Sequence, residues 1–219
     1  MKTIQLILAF AALLLLASCE KQSITGSGSL STEQRAVLPF TAVQTSGDIK
    51  LNIRYGATSS IEVKGYSNLV QITETKIQNN KLYVQFQDQY NSVRNNNVEV
   101  TVVLPVLESV YSYGSGDVWV SDFSNGNNLQ VSIYGSSDVI ITNSQFNTGN
   151  FESHGSGDIE AQNLSVKTGN ASIYGSGNIK LSCTEFLRSK IFGSGNIWYW
   201  GNPALDTQIN GSGSVVKKG

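Results

Sequence analysis

One histidine and one methionine occur in 219 residues, beside two cysteines and three prolines. A single histidine cannot assemble a His-based metal or acid–base cluster within one chain. Charge is also scarce. Only 14% of residues are Asp, Glu, Lys or Arg and the formal net charge is −1, against about a quarter charged in an average globular chain. No basic run has the length that a phosphate backbone demands, so nucleic acid is excluded as a partner. What is abundant is apolar and small: 40% hydrophobic residues and 21 glycines. That is enough to build a core, and it suits many short strands joined by tight glycine turns.

The N-terminus reads as an address. Met1-Lys2 is a positive start, and Ile4 to Leu16 is apolar apart from Gln5. The run is short for a membrane span and ends in the small residues Ala17 and Ser18, as a secretory signal does. The junction Leu16-Ala17-Ser18-Cys19 resembles the lipobox of bacterial lipoproteins. That resemblance implies a signal peptide over 1–18, an acylated Cys19 at the mature N-terminus, and membrane attachment through lipid, most simply at the outer membrane. Several acyl chains would be needed for firm anchoring. Residues 19–35, polar and centred on Gly26-Ser27-Gly28-Ser29, have the composition of a flexible tether.

The main signal is internal repetition. Gly114-Ser115-Gly116-Asp117-Val118 returns at Gly135, Gly155, Gly175, Gly193 and Gly211, with Asp138, Asp158, Asn178, Asn196 and Ser214 in the place of Asp117. A period of about twenty residues with strand-like flanks predicts an all-β parallel β-helix, a solenoid of about 18–21 residues per coil over 106–219. Thr45-Ser46-Gly47-Asp48-Ile49 reads as a distant seventh copy. Strand alternation turns Val118, Val139, Ile159, Ile179, Ile197 and Val215 inward. On the other arm it does the same for Val131 and Ile133, Phe151 and Ser153, Ala171 and Ile173, and Ser189 and Ile191. The corners are expected to use glycine for positive φ, which Asn and Asp also tolerate. Ser137, in place of the second glycine, points instead to a need for closeness.

Residues 36–105 alternate without the repeat and read as an irregular β portion that covers the first coil. Within it Asn79-Asn80 sits where a hairpin turns. The opening Ser46-Gly47-Asp48-Ile49, the run Val98 to Pro105 and the Gly-Ser-Gly-Asp/Asn series together resemble the autotransporter-adhesin head domain family of GIN type, found in envelope lipoproteins of Bacteroidetes-like bacteria. The resemblance spans about 37–215. It implies a β-helical fold and a surface or adhesive role, and it transfers no catalytic residue and no cofactor.

Two readings compete at each remaining constellation. Asp117, Asp138 and Asp158 stack into a carboxylate column that could attract Ca²⁺, but asparagine fills the same row later. Asx side chains capping their own turns explain the row better. Gly-Ser-Gly is not a nucleotide loop, because the spaced third glycine, the Lys-Ser/Thr and the following helix are missing. His154 falls in one row with Tyr113, Tyr134, Tyr174 and Phe192, an outward aromatic ladder. Beyond the corner, Trp119, Trp198 and Trp200 also point outward. Such rows can stack against a glycan or hold a protein, and they also arise simply because a repeat stacks. Cys183, level with Asp122, Asn143 and Asn163, reads as a small residue at a bend. The sequence therefore favours a non-catalytic envelope protein with a structural or adhesive role. The rival is a carbohydrate-binding module that uses Tyr113, Tyr134, Tyr174, Trp119, Trp198 and Trp200. A polysaccharide-cleaving enzyme would rest on fold analogy alone.

Overall fold

The computed structural model describes residues 22–218; the signal region and Cys19 lie outside them. In chain order the strands begin with β1 (Gln22–Thr25), β2 (Leu30–Arg35), β3 (Ala42–Thr45), β4 (Lys50–Tyr55) and β5 (Ser60–Tyr66). A one-and-a-half-turn helix α1 (Ser67–Ile72) follows, then β6 (Thr73–Gln78), β7 (Lys81–Phe86), β8 (Tyr90–Arg94) and β9 (Glu99–Leu104). The repeats contribute β10 (Ser109–Ser112), β11 (Val118–Ser121), β12 (Gly126–Ile133), β13 (Val139–Thr142) and β14 (Ser144–Ser153). After them come β15 (Ile159–Ile173), β16 (Ile179–Ile191), β17 (Ile197–Trp200), β18 (Ala204–Ile209) and β19 (Val215–Lys217). The protein is all-β, as its composition and alternation predict.

Successive repeats pair in parallel, each strand one period above its predecessor. Val118 lies beside Val139 and Ile159 beside Ile179. Val131 lies beside Phe151, and Phe151 beside Ala171. Large and small residues thus alternate up a column of constant width, as dense packing requires. The inward rows read from the sequence are buried, including Ser153 and Ser189, and only the last rung, at Val215, is partly open. The sheet is nevertheless mixed. β5 runs antiparallel to β9, β6 to β7 and β2 to β5. These strands close the first rung, and α1 turns Leu69, Val70 and Ile72 into the core beneath it. The β6–β7 turn does fall on Asn79 and Asn80, both left-handed (φ 51° and 61°), as a tight hairpin requires.

Three expectations need correction. Residues 22–35 are not a free tether: β1 pairs in parallel with β8, and β2 pairs along its whole length with β5. The polar Gly-Ser composition hid strands whose partners lie far along the chain. The seventh copy is a genuine rung, but two residues out of the expected phase. Gly47 lies under Gly114, Lys50 lies where the later rungs carry Asp or Asn, and Leu51 pairs with Val118. Finally, the repeated corner glycines are not there for left-handed backbone; of that row only Gly47 has positive φ, at 83°. A Cβ on Gly114, Gly135, Gly155, Gly175, Gly193 or Gly211 would lie 1.8–2.0 Å from a carbonyl oxygen of the rung below. Closeness between rungs, inferred from Ser137 for the second glycine, governs the row of first glycines as well. Ser137 itself is fully buried and its hydroxyl meets that of Ser112 at 2.5 Å. Left-handed residues occur instead at the opposite bend, at Asp122 and Asn143.

Candidate functional site

The Gly-Ser-Gly corner organises three rows of side chains. In the first, each Asx Oδ1 accepts a hydrogen bond from the backbone N–H of the Asx one rung above. Asp138 N donates to Asp117 at 3.0 Å, Asp158 N to Asp138 at 2.8 Å, and Asn178 N to Asp158 at 2.8 Å. Asn196 N and Ser214 N continue the series at 3.0 and 2.9 Å. The side chains thus cap the next turn, not their own as the sequence suggested. Only an acceptor oxygen is required, so Asp and Asn interchange. Each Oδ1 answers a donor that the strand ladder leaves unpaired at the bend. No group of three or more His, Cys, Asp or Glu among the described residues is arranged to hold a metal ion.

The second row is the aromatic ladder. Tyr113, Tyr134, His154, Tyr174 and Phe192 stack face to face with centroids 4.6, 4.6, 4.5 and 5.2 Å apart and planes within 9°. The rung spacing of about 4.8 Å imposes that distance. The rings are exposed at their edges, 42–47% for the four carbocyclic ones, while their faces are largely taken by one another. Desolvation within the stack, with the neighbouring Tyr113 second, pushes the Tyr134 hydroxyl above the ordinary tyrosine range. His154 lies 3.5 Å from Glu152 and is a member of this column.

The tryptophans do not join the ladder and do not form one patch. Trp119 and Trp198 share a row across the corner, but Ile140, Glu160 and Lys180 stand between them. Four rungs separate them by about 19 Å. Lys180 Nζ lies 2.6 Å from Glu160, and this bond holds the Glu160 carboxyl below its ordinary value. Trp198 lies under the same ammonium at 5.8 Å. Trp200 pairs with Ser182 in the next outward row. Trp119, by contrast, carries the Lys50 ammonium 4.8 Å above its ring and borders a cleft.

That region was missed in the sequence. The aromatic row is preceded on the two lower rungs by Ser46 and Gln85, and below Tyr113 opens a cleft of about 440 Å³ lined by these two residues with Asp48, Phe86, Asp88 and Tyr90. Across Gly47-Asp48 a second cleft, of about 330 Å³, holds Lys50, Glu99, Asp117 and Trp119. The signal was the long polar insertion 87–98 between β7 and β9, where later rungs turn in a few residues. Cys183 is likewise not at a bend. It faces the core beside Val166, fully buried, and burial raises its thiol pKa.

The chain is similar to several solved structures. A "putative adhesin" from Bacteroides fragilis is 23% identical, with a TM-score of 0.72, covering 89% of this chain and 99% of that one. A "putative lipid binding protein" from Parabacteroides distasonis is 20% identical at TM-score 0.62, covering 90% and 100%. A "putative adhesin" from the same species is 18% identical at 0.59, with the same coverage. At these identities the likeness establishes the fold alone. Comparison with curated proteins finds no match. The family model described as "Putative auto-transporter adhesin, head GIN domain" matches residues 39–203, well over half of the sequence, and the chain belongs to that family.

Proposed function

We propose that the protein is a non-catalytic adhesin head of the cell envelope, a β-solenoid column held to the membrane through lipid on Cys19. Membership of an adhesin-head family carries the reading. The parallel stacking of rungs supports the solenoid, and the lipobox-like Leu16-Ala17-Ser18-Cys19 supports the anchor. The chemistry of the rows agrees. One oxygen of each Asx, Oδ1, is committed to a backbone donor and the single histidine to a ring stack, so neither row offers a paired acid and base beside a substrate space.

Two measurements test this. Cells making the Cys19→Ala form are expected to lose the protein from the membrane fraction, and retention would overturn lipid anchoring. Cells lacking the gene are expected to adhere less to host or abiotic surfaces, with recovery on re-expression. Unchanged adhesion, with the envelope intact, would leave only a structural role.

A further inference from the structure

We infer that the corner at Gly47-Asp48 is a binding groove for a neutral glycan segment; this deepens the adhesive reading and rests on it. Here the repeat breaks its own rule. On the rung below, the insertion 87–98 takes the place of the five residues that later corners spend between strands, and on this rung Lys50 stands where later rungs carry Asp or Asn. The uniform ladder gives way to clefts of about 440 and 330 Å³ on either side of Asp48, which borders both. Each has the volume of a small-ligand site. Each has an aromatic wall, Tyr90 with Phe86 on one side and Trp119 on the other, suited to the C–H face of a sugar ring. Ser46, which lies under Tyr113 at the foot of the aromatic column, lines the larger cleft.

Charge selects the ligand class. Asp48, Asp88, Asp117 and Glu99 face one ammonium, Lys50, so a phosphate or an acidic sugar meets net repulsion. A cationic ligand would meet the like charge of Lys50, whose ammonium lies over the Trp119 ring, whereas a neutral sugar reaching that face meets no charge repulsion. A hydroxyl group both donates and accepts, and so answers adjacent carboxylates and ammonium at once. The backbone of the groove is fixed from within: the Asn96 amide donates to the Asp48 carbonyl, and its Oδ1 accepts from Val98 N at 2.9 Å. Asp48 itself is exposed on the rim, and its carboxylate makes no hydrogen bond to the described residues.

The test uses the full chain in detergent on an array of neutral and acidic oligosaccharides. Saturable binding to neutral glycans is expected, weakened ~10-fold or more by Trp119→Ala, the effect of one lost stacking contact with its burial. Asp48→Asn, on an exposed side chain that leaves the fold untouched, is expected to weaken it several-fold. Trp198→Ala with Trp200→Ala is expected to leave it unchanged. Binding only to acidic glycans, or neutral binding indifferent to both Trp119→Ala and Asp48→Asn, would overturn the inference. Failure on the array while cells still adhere through the protein would overturn the groove and leave the adhesin reading standing. Loss of both would remove the two together.

Discussion

At the scale of single residues, the corner glycines and the Asx row make opposite demands. A glycine is needed where the next carbon would meet backbone, and an acceptor is needed where a backbone N–H faces a bend. At Gly155 a Cβ would lie 1.8 Å from the Gly135 carbonyl oxygen, which cannot give way without parting the rungs. Gly155→Ala is therefore expected to lose about 3 kcal/mol, the upper end of overpacking costs. At Gly47 the same carbon would meet Phe86 at 3.6 Å, an ordinary contact, and the cost comes from the left-handed backbone instead. Gly47→Ala should lose only about 1–2 kcal/mol. Urea denaturation of the two variants decides the order, and a larger loss at Gly47 would show that φ, not rung spacing, governs the row. In the Asx row, Asn178→Ala strips the acceptor from Asn196 N–H. A part-buried donor left unpaired costs about 1 kcal/mol, the low end of the range for a buried one, measurable in the same way. A neutral result would mean that water takes the place of Oδ1.

At the scale of elements, the aromatic ladder is a cooperative column whose faces are mutual partners. His154→Ala should break it in the middle, removing two stacked contacts of about 0.5–1.5 kcal/mol each, while His154→Phe should restore most of the loss. A silent alanine variant would mean that the rings merely lie where the repeat puts them. The ladder was legible in the sequence because alternation fixes which face each residue takes once the period is known. The same logic gave the inward rows from Val118 to Ile197. The phase of the first rung was not legible. Ser46-Gly47-Asp48-Ile49 matches the repeat motif in letters, and only the hydrogen bond from Ser115 N to Gly47 O reveals that Gly47 plays the part of the first glycine. Nor could composition distinguish a tether from β2, because a polar strand at a sheet edge and a free linker draw on the same residues. The clefts at Gly47-Asp48 were hidden for a related reason: they depend on the insertion 87–98 folding back beside a rung that is distant in sequence.

At the scale of the molecule, the two ends of the stack are built differently, and stability should reflect it. In a stacked array each rung chiefly adds its own terms and those of its neighbour, so removing a last rung subtracts without destroying the rest. Residues 202–219 supply β18 and β19, whose inward Leu205 and Ile209 are still half exposed, 49% and 45%. Truncation after Gly201 would bare Leu187 and Ile191 but leave every lower rung with both neighbours. The first end is closed by antiparallel strands. Removing 22–35 would strip β2 from the length of β5, break the bond from Arg35 to the Val70 carbonyl at 2.8 Å, and leave β8 without its partner. Bared strand edges next to an opened core promote association between chains. The truncation after 201 is therefore expected to keep the β signature in circular dichroism and to melt cooperatively at a lower Tm. The deletion of 22–35 should instead yield mostly aggregated protein. A deletion variant that stays soluble and melts with the full chain would restore residues 22–35 to the role of a tether.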